Sequence, residues 1–317
     1  MKKRKYYISH DGSIDDFIGI LALLLMEDVE LLGMGVINAD CYTEAAISVS
    51  RKMIDRFCPY SMEVSESTAR PVNQFTEAWR RFAYMLDALP ILNERGRIDA
   101  PLVEEPAHLH LIRKVRESGE KINIYAVGPL TDIATALDTD PGMEDGIESM
   151  IWMGGSFTGN GNINEPNHDG SAEWNAFWDP LAVERVLQSK IPITMVPLHA
   201  TNQCRWHKSM GDIWARMRNY VALDFVGQCY SIISQLYEYF FWDTLTAAFI
   251  GNTSISTTRE LYCSAVTRGI SAGRIDEVQE GQGGRKVRIL DKVDKEAVFT
   301  YLTELFKSAG TYSKHGN

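Results

Sequence analysis

Short β-prone runs alternate with longer helix-patterned segments along this chain, and that alternation leaves few folds open. Tyr6-Tyr7-Ile8 ends at the turn-forming Asp11-Gly12-Ser13, after which Asp16 to Met26 reads as a buried helix. The order recurs: Glu30 to Ile37 as a strand before a helix from Thr43 to Phe57, Ile122 to Val127 before Leu130 to Leu137, and Ser149 to Met153 ahead of Pro180 to Leu187. Ile193 to Leu198 is a further candidate strand, with Pro197 at its end where proline is best tolerated, and Lys286 to Leu290 precedes a helix from Lys295 to Lys307. The expectation is an α/β fold: one domain over residues 1–317, with a mainly parallel, open, doubly wound central sheet flanked by helices.

Composition narrows the partners. A hydrophobic fraction of 45% beside a charged fraction of 23% supports a packed core rather than disorder. The 32 Lys+Arg against 42 Asp+Glu give a net charge of −10, which lacks the basic footprint of nucleic-acid binding and points to a small partner. Surplus carboxylates also suit a metal, a question composition leaves open. Cys41, Cys58, Cys204, Cys229 and Cys263 show neither C-x-x-C pairing nor zinc spacing and read as reduced thiols. The basic start Met1 to Lys5 precedes an apolar stretch, Phe17 to Met26, but Asp15 and Asp16 intervene, no cleavage pattern follows, and a span needs roughly 20 residues. A cytoplasmic protein with no membrane partner is expected.

In doubly wound folds ligands sit beyond the carboxyl ends of the strands. The loops Ser9 to Asp15, Asn38 to Tyr42, Val127 to Asp132 and Gly154 to Asn175 are accordingly rich in Gly, Asp and Asn, and the last is too long for a simple connector. Asp11, Asp15 and Asp16 crowd three carboxylates into six residues. Two readings share them: helix capping, since Ser13-x-x-Asp16 has capping-box spacing, and a hard cation such as calcium, which takes roughly 6 to 8 oxygen ligands.

The stretch Ile8-Ser9-His10-Asp11-Gly12-Ser13-Ile14-Asp15-Asp16 resembles the D-x-D-x-G-x-D-D fingerprint of the inosine-uridine nucleoside hydrolase family. Further matches follow in the family's order: Gly128-Pro129-Leu130-Thr131-Asp132, Met153-Gly154-Gly155, Gly161-Asn162, Ala172-Glu173-Trp174-Asn175, Asp179-Pro180, and Trp242-Asp243 running on to Ala248. The resemblance implies Ca2+ held by Asp11, Asp16, Asp243 and the carbonyl of Val127, with Asp11 as the general base. It implies ribose contacts from Asp15, Asn162, Glu173 and Asn175, and an enzyme that is a dimer or tetramer acting on a small nucleoside.

Broad-specificity relatives carry His where this chain has Trp242; the purine-preferring branch carries Trp there, with a second Trp that Trp79 matches. Asp40, where broad-specificity relatives have Asn, agrees with that branch and would contact the base. Stacking a purine between indoles favours its electron-poor, protonated form. Purine ribonucleoside hydrolysis to ribose and free base is therefore expected. The alternatives are a broad-specificity inosine and uridine hydrolase, and a non-catalytic nucleoside-binding relative.

Each motif also has a plainer role. Thr131 is expected to cap its helix, Asp40 suits a turn before Thr43, and Trp174, Phe177 and Trp178 read as core. Ser9, Ser13, Asp132 and His199 depart from the family's usual residues. His10, His168 and His199 are candidate site histidines by location. Ser9-His10-Asp11-Gly12-Ser13 also imitates the D-x-D-G-[ST] loop of haloacid dehalogenase-like phosphatases, but Ser9 stands where the nucleophilic Asp would be.

Overall fold

Each strand-to-helix repeat contributes a strand to one sheet and a helix to one of its faces. The structure, a computed structural model, describes residues 2–73, 80–157, 159–233 and 238–312. Its strands are β1 (Arg4–His10), β2 (Val29–Val36), β3 (Glu63–Glu66), β4 (Leu102–Val103), β5 (Ile122–Val127), β6 (Ile147–Met153), β7 (Ile193–Val196), β8 (Ser256–Ala265), β9 (Ile275–Val278) and β10 (Arg285–Val293). They form one sheet in the order β4-β3-β2-β1-β5-β6-β7-β10-β8-β9. From β4 across to β10 neighbours run parallel, and only β8 and β9 turn antiparallel at one edge.

Helices cover both faces because the central strands are apolar on both sides. Ile8, Tyr125 and Val127 pack with the Ile14–Leu25, Thr43–Phe57, Val221–Ile233 and Asp243–Gly251 helices, whereas Tyr7, Ile124 and Ala126 pack with the Ala107–Glu117, Thr131–Thr139 and Pro180–Leu187 helices. This is the expected single-domain α/β architecture. The Thr43–Phe57, Pro180–Leu187 and Lys295–Lys307 helices keep the bounds read from sequence. The first helix begins earlier than expected, at Ile14, because Ser13 takes the extended cap position and the Asp16 carboxylate accepts its backbone N–H at 2.9 Å.

β3, β4, the Ala107–Glu117, Lys208–Ala215 and Val221–Ile233 helices and the β8–β9 pair have no counterpart in the sequence reading. β3 reads Glu-Val-Ser-Glu and β4 is two residues long, so neither carries a usable period. β8 is half exposed and polar, as suits an antiparallel strand near a sheet edge.

The chain runs outward from β1 to β4 and then crosses back to place β5 on the other side of β1. That reversal makes a crevice at the carboxyl ends of β1 and β5, where His10 pairs with Val127. Gly19 permits the close approach behind it: a Cβ there would collide with the Tyr125 hydroxyl and crowd the Asp243 carbonyl.

Candidate functional site

Asp11 leaves β1 directly into this crevice and is 2% exposed. Its Oδ2 accepts the Asp40 N–H at 3.2 Å, so the Asn38 to Tyr42 loop is pinned to the end of β1. Asp16 lies beneath: Oδ1 accepts the Asp11 N–H at 3.2 Å, and Oδ2 accepts the Ser13 N–H and hydroxyl at 2.9 and 2.6 Å. From the far end of the chain, Asp243 opens its helix beside them, its carbonyl accepting the Tyr125 hydroxyl at 2.9 Å. The Asp243 Oδ1 is buried without a hydrogen-bond partner.

So many buried acids raise one another's proton affinity. Burial first, then the charge of Asp16, pushes Asp11 well above the usual carboxylate range, and burial with the same neighbour does so for Asp243. Burial raises Asp16 to about 6, held down by hydrogen bonds from Ser13 and Asp11, and Asp40 to about 7. Among the described residues no three His, Cys, Asp or Glu side chains form a ready-made metal cage. The donor chemistry still suits a hard cation: oxygen atoms only, a net excess of carboxylate, and an orphaned Asp243 oxygen.

Above these acids opens a cavity of about 400 Å³. Asp11, Asp40, Val127, Asn162, Glu173, Asn175, Trp242 and Asp243 are among the residues that line it. Glu173 caps the Trp174–Trp178 helix, accepting N–H groups from Asn175 at 2.8 Å, Gly155 at 2.9 Å and Ala176 at 3.2 Å. Burial outweighs these bonds and raises its pKa to about 7. The Asn175 Nδ2 donates to the Met153 carbonyl at 3.0 Å, and the Asn162 Oδ1 accepts the Trp174 N–H at 3.1 Å.

Several expectations change. Asp15 is wholly buried and is not among the cavity-lining residues; its carboxylate accepts the N–H groups of Asp243 and Thr244 and the Thr244 hydroxyl, which ties it to the start of the Asp243–Gly251 helix. Asp16 is likewise enclosed below the cavity. Trp79 lies outside the described residues. Thr131 does not cap its helix: Leu130 holds the cap position, and the Thr131 hydroxyl donates to Asp179 Oδ2 at 2.7 Å. Trp174 and Trp178, read as core, line the cavity while packing on each other with centroids 5.7 Å apart.

None of the three candidate histidines lines the cavity. His10 is wholly buried, which drops its pKa to about 3, and its Nε2 lies 3.2 Å from the Ser50 hydroxyl. Burial also lowers His199, whose ring meets Phe157 edge-on. Ser9 is enclosed in β1 at 3% exposure, away from the cavity, which removes the phosphatase reading's nucleophile position.

Phe82, Asn164, Asn202, Glu238, Tyr239 and Phe240 line the cavity without having been singled out in sequence. The signal in sequence for the last pair is the aromatic run before Trp242. Here Tyr239 meets the Trp242 ring edge-on at 4.7 Å and Phe240 lies tilted at 5.7 Å, so the half-buried indole is fenced by two rings.

Acids and amides gathered at the switch point of an open parallel sheet, around a cavity of small-molecule size, define a polar-ligand site of the α/β type. Residues 6–300 match the family model for inosine-uridine preferring nucleoside hydrolase, and the chain belongs to that family. The crystal structure of an inosine-uridine preferring nucleoside hydrolase from Bacillus anthracis is 44% identical and superposes with a TM-score of 0.93, covering 96% of this chain and 99% of that one. A purine-preferring ribonucleoside hydrolase from Gardnerella vaginalis, 21% identical, shares the fold at a TM-score of 0.76, over 96% of this chain and 99% of that one. A probable uridine nucleosidase 2 from Oryza sativa subsp. japonica is 29% identical over 63% of this chain; the match spans only 58% of that protein's length. No described helix is long and apolar enough to cross a membrane.

Proposed function

We propose that this protein hydrolyses the N-glycosidic bond of ribonucleosides with Ca2+ bound, prefers purine nucleosides, and releases ribose and the free base. The observation that carries this reading is the meeting of Asp11, Asp243 and Trp242 on one cavity although the last two come from the far end of the sequence. Asp11, Asp16, Asp243 and the Val127 carbonyl would hold the cation, which supplies positive charge that offsets the buried acids and lowers the pKa of a water beside it.

The chain's own residues do the rest. Asp11 orients a water toward the anomeric carbon and takes its proton as the new C–O bond forms. The C–N bond breaks, its electron pair leaves with the base nitrogen, and the base takes a proton from solvent. Asn162, Glu173 and Asn175 hold ribose hydroxyls, in hydrogen bonds that strengthen as the ring gains oxocarbenium character. Asp15 serves indirectly by fixing the backbone at Asp243. Asp40 borders the base, and the Trp242 indole offers it an aromatic face.

A second reading, uridine hydrolysis, is favoured by the uridine nucleosidase name of the rice relative. A steady-state panel of inosine, adenosine, guanosine, uridine and cytidine, with and without a chelator, separates the two. Purines cleaved much faster, and only without chelator, is the expected result. Uridine cleaved as fast as inosine overturns the purine preference, and full activity in chelator overturns the cation. A cytoplasmic dimer or tetramer belongs to the same proposal; light scattering after size exclusion tests the assembly.

A further inference from the structure

We infer that His168 is a positioning residue that locks the sugar side of the cavity, by tying the loop that carries Asn162 to the connection between β8 and β9. This rests on the nucleoside hydrolase reading above and extends it to a residue outside the cavity.

The side chain of His168 is 3% exposed, and its two ring nitrogens have opposite jobs. The Gly170 N–H donates to Nδ1 at 2.9 Å. Nδ1 is therefore an acceptor, the ring proton sits on Nε2, and Nε2 donates to the Ala272 carbonyl at 2.9 Å. Ala272 lies between β8 and β9. The ladder continues inward: the Gly170 carbonyl accepts the Gly161 N–H at 2.9 Å, the Asn162 N–H donates to the Ala172 carbonyl at 2.9 Å, and the Asn162 Oδ1 accepts the Trp174 N–H. Hydrogen bonds thus run in an unbroken series from the sheet edge to a side chain on the cavity wall.

The neighbouring contacts reinforce the same junction. The Asp169 N–H donates to the Ile270 carbonyl at 2.8 Å, the Asp169 carboxylate accepts the Ser171 and Ser271 hydroxyls, and Phe177 packs edge-on against the His168 ring at 5.0 Å. Gly161 sits so close to Ala172 that a Cβ would collide with the Ala172 carbonyl, so the two halves of the loop are held in backbone contact.

The physical need is plain. The loop between β6 and the Trp174–Trp178 helix is long, and ordering its backbone costs about 1–2 kcal/mol per residue. One buried imidazole bridges a gap that a hydroxyl could not span, accepting on one side and donating on the other. A sugar-binding amide displaced by about 1 Å loses on the order of 100-fold in rate.

The test compares His168→Ala, His168→Asn and His168→Gln with the wild type. Asn keeps an acceptor near the Nδ1 position, whereas Gln keeps a donor near the Nε2 position. Each is assayed on a ribonucleoside and on its 2′-, 3′- and 5′-deoxy forms, with amide hydrogen exchange followed at Gly161 and Asn162. The expected result is a loss of about 10- to 100-fold in kcat/KM for His168→Ala on the ribonucleoside. The loss is smaller on the deoxy form lacking the hydroxyl that Asn162 holds, so the ribo-to-deoxy preference collapses. Partial recovery is expected in the Asn and Gln variants, with faster exchange at both amides in His168→Ala. An unchanged preference, an equal loss on all substrates, or unchanged exchange overturns the inference. A wild type that cleaves no nucleoside overturns the functional reading instead, and the exchange rates then still decide whether His168 locks the loop.

Discussion

Asp15 and Asp243, 228 positions apart, are joined by a charge-assisted cap: the Asp15 Oδ2 accepts the Asp243 N–H at 2.5 Å. The same oxygen accepts the Thr244 N–H at 3.1 Å, and Oδ1 accepts the Thr244 hydroxyl at 2.6 Å. One carboxylate thereby satisfies two orphan donors at the start of the Asp243–Gly251 helix and places the Asp243 side chain opposite Asp11.

Asp15→Asn turns part of that acceptor pair into a donor facing donors. Unfolding in denaturant should show a loss of about 1–3 kcal/mol, the cost of a buried polar mismatch. Activity should fall more than stability accounts for, because Asp243 moves with its helix. Unchanged stability and turnover together would show that the cap is not needed.

Asp243→Asn should have opposite effects on two measurements. It removes a charge from a cluster in which burial and neighbouring acids already raise each pKa, so thermal melting in chelator should be higher than for the wild type. In calcium the wild type should gain stability by ligand linkage while the variant gains little, and turnover should nearly vanish. A wild-type melting temperature indifferent to calcium would count against the cation.

Trp242→Ala should lower kcat on purine nucleosides more than on a nitrophenyl riboside, whose leaving group needs no aromatic assistance. Equal losses on both would assign Trp242 to packing against Tyr239 and Phe240 rather than to the leaving base.

Asp132 gives a pH dependence away from the acid cluster. Its side chain is buried, its Oδ1 accepts the Ser67 hydroxyl at 2.7 Å, and burial raises its pKa to about 7. A folded pKa above the unfolded value near 3.9 means the native state holds the proton longer. The stability contributed is fully present below about pH 4 and falls as pH rises toward 7, by up to about 1.4 kcal/mol per pH unit. Asp132→Asn should flatten that slope and be the more stable protein at pH 8; parallel wild-type and variant curves between pH 4 and 8 would refute this.

Much of the site is legible in the sequence because its chemistry is local. Asp11, Asp15 and Asp16 announce themselves within six residues, Glu173 and Asn175 share a short motif, and eight of the expected residues do line one cavity: Asp11, Asp40, Val127, Asn162, Glu173, Asn175, Trp242 and Asp243. What sequence could not separate was acid that meets the ligand from acid that supports it. Asp15 and Asp16 are adjacent and look alike in sequence, yet the Asp16 carboxylate bonds to Ser13 and Asp11 at the proposed cation site, whereas Asp15 braces the start of the Asp243–Gly251 helix. Likewise His168 looked like a site histidine, and only its partners at Gly170 and Ala272 give it a different role.

Sequence alone determined the strand-and-helix alternation, hence the parallel sheet, and the residue types that gather at strand ends, because periodicity and turn chemistry act over a few residues. Tertiary structure alone decided which acids line one cavity, that Tyr239 and Phe240 fence Trp242, and that the β8–β9 connection reaches the sugar loop. Those relations depend on the order of strands in the sheet, which brings distant segments within hydrogen-bonding distance and is written in no single stretch of the chain.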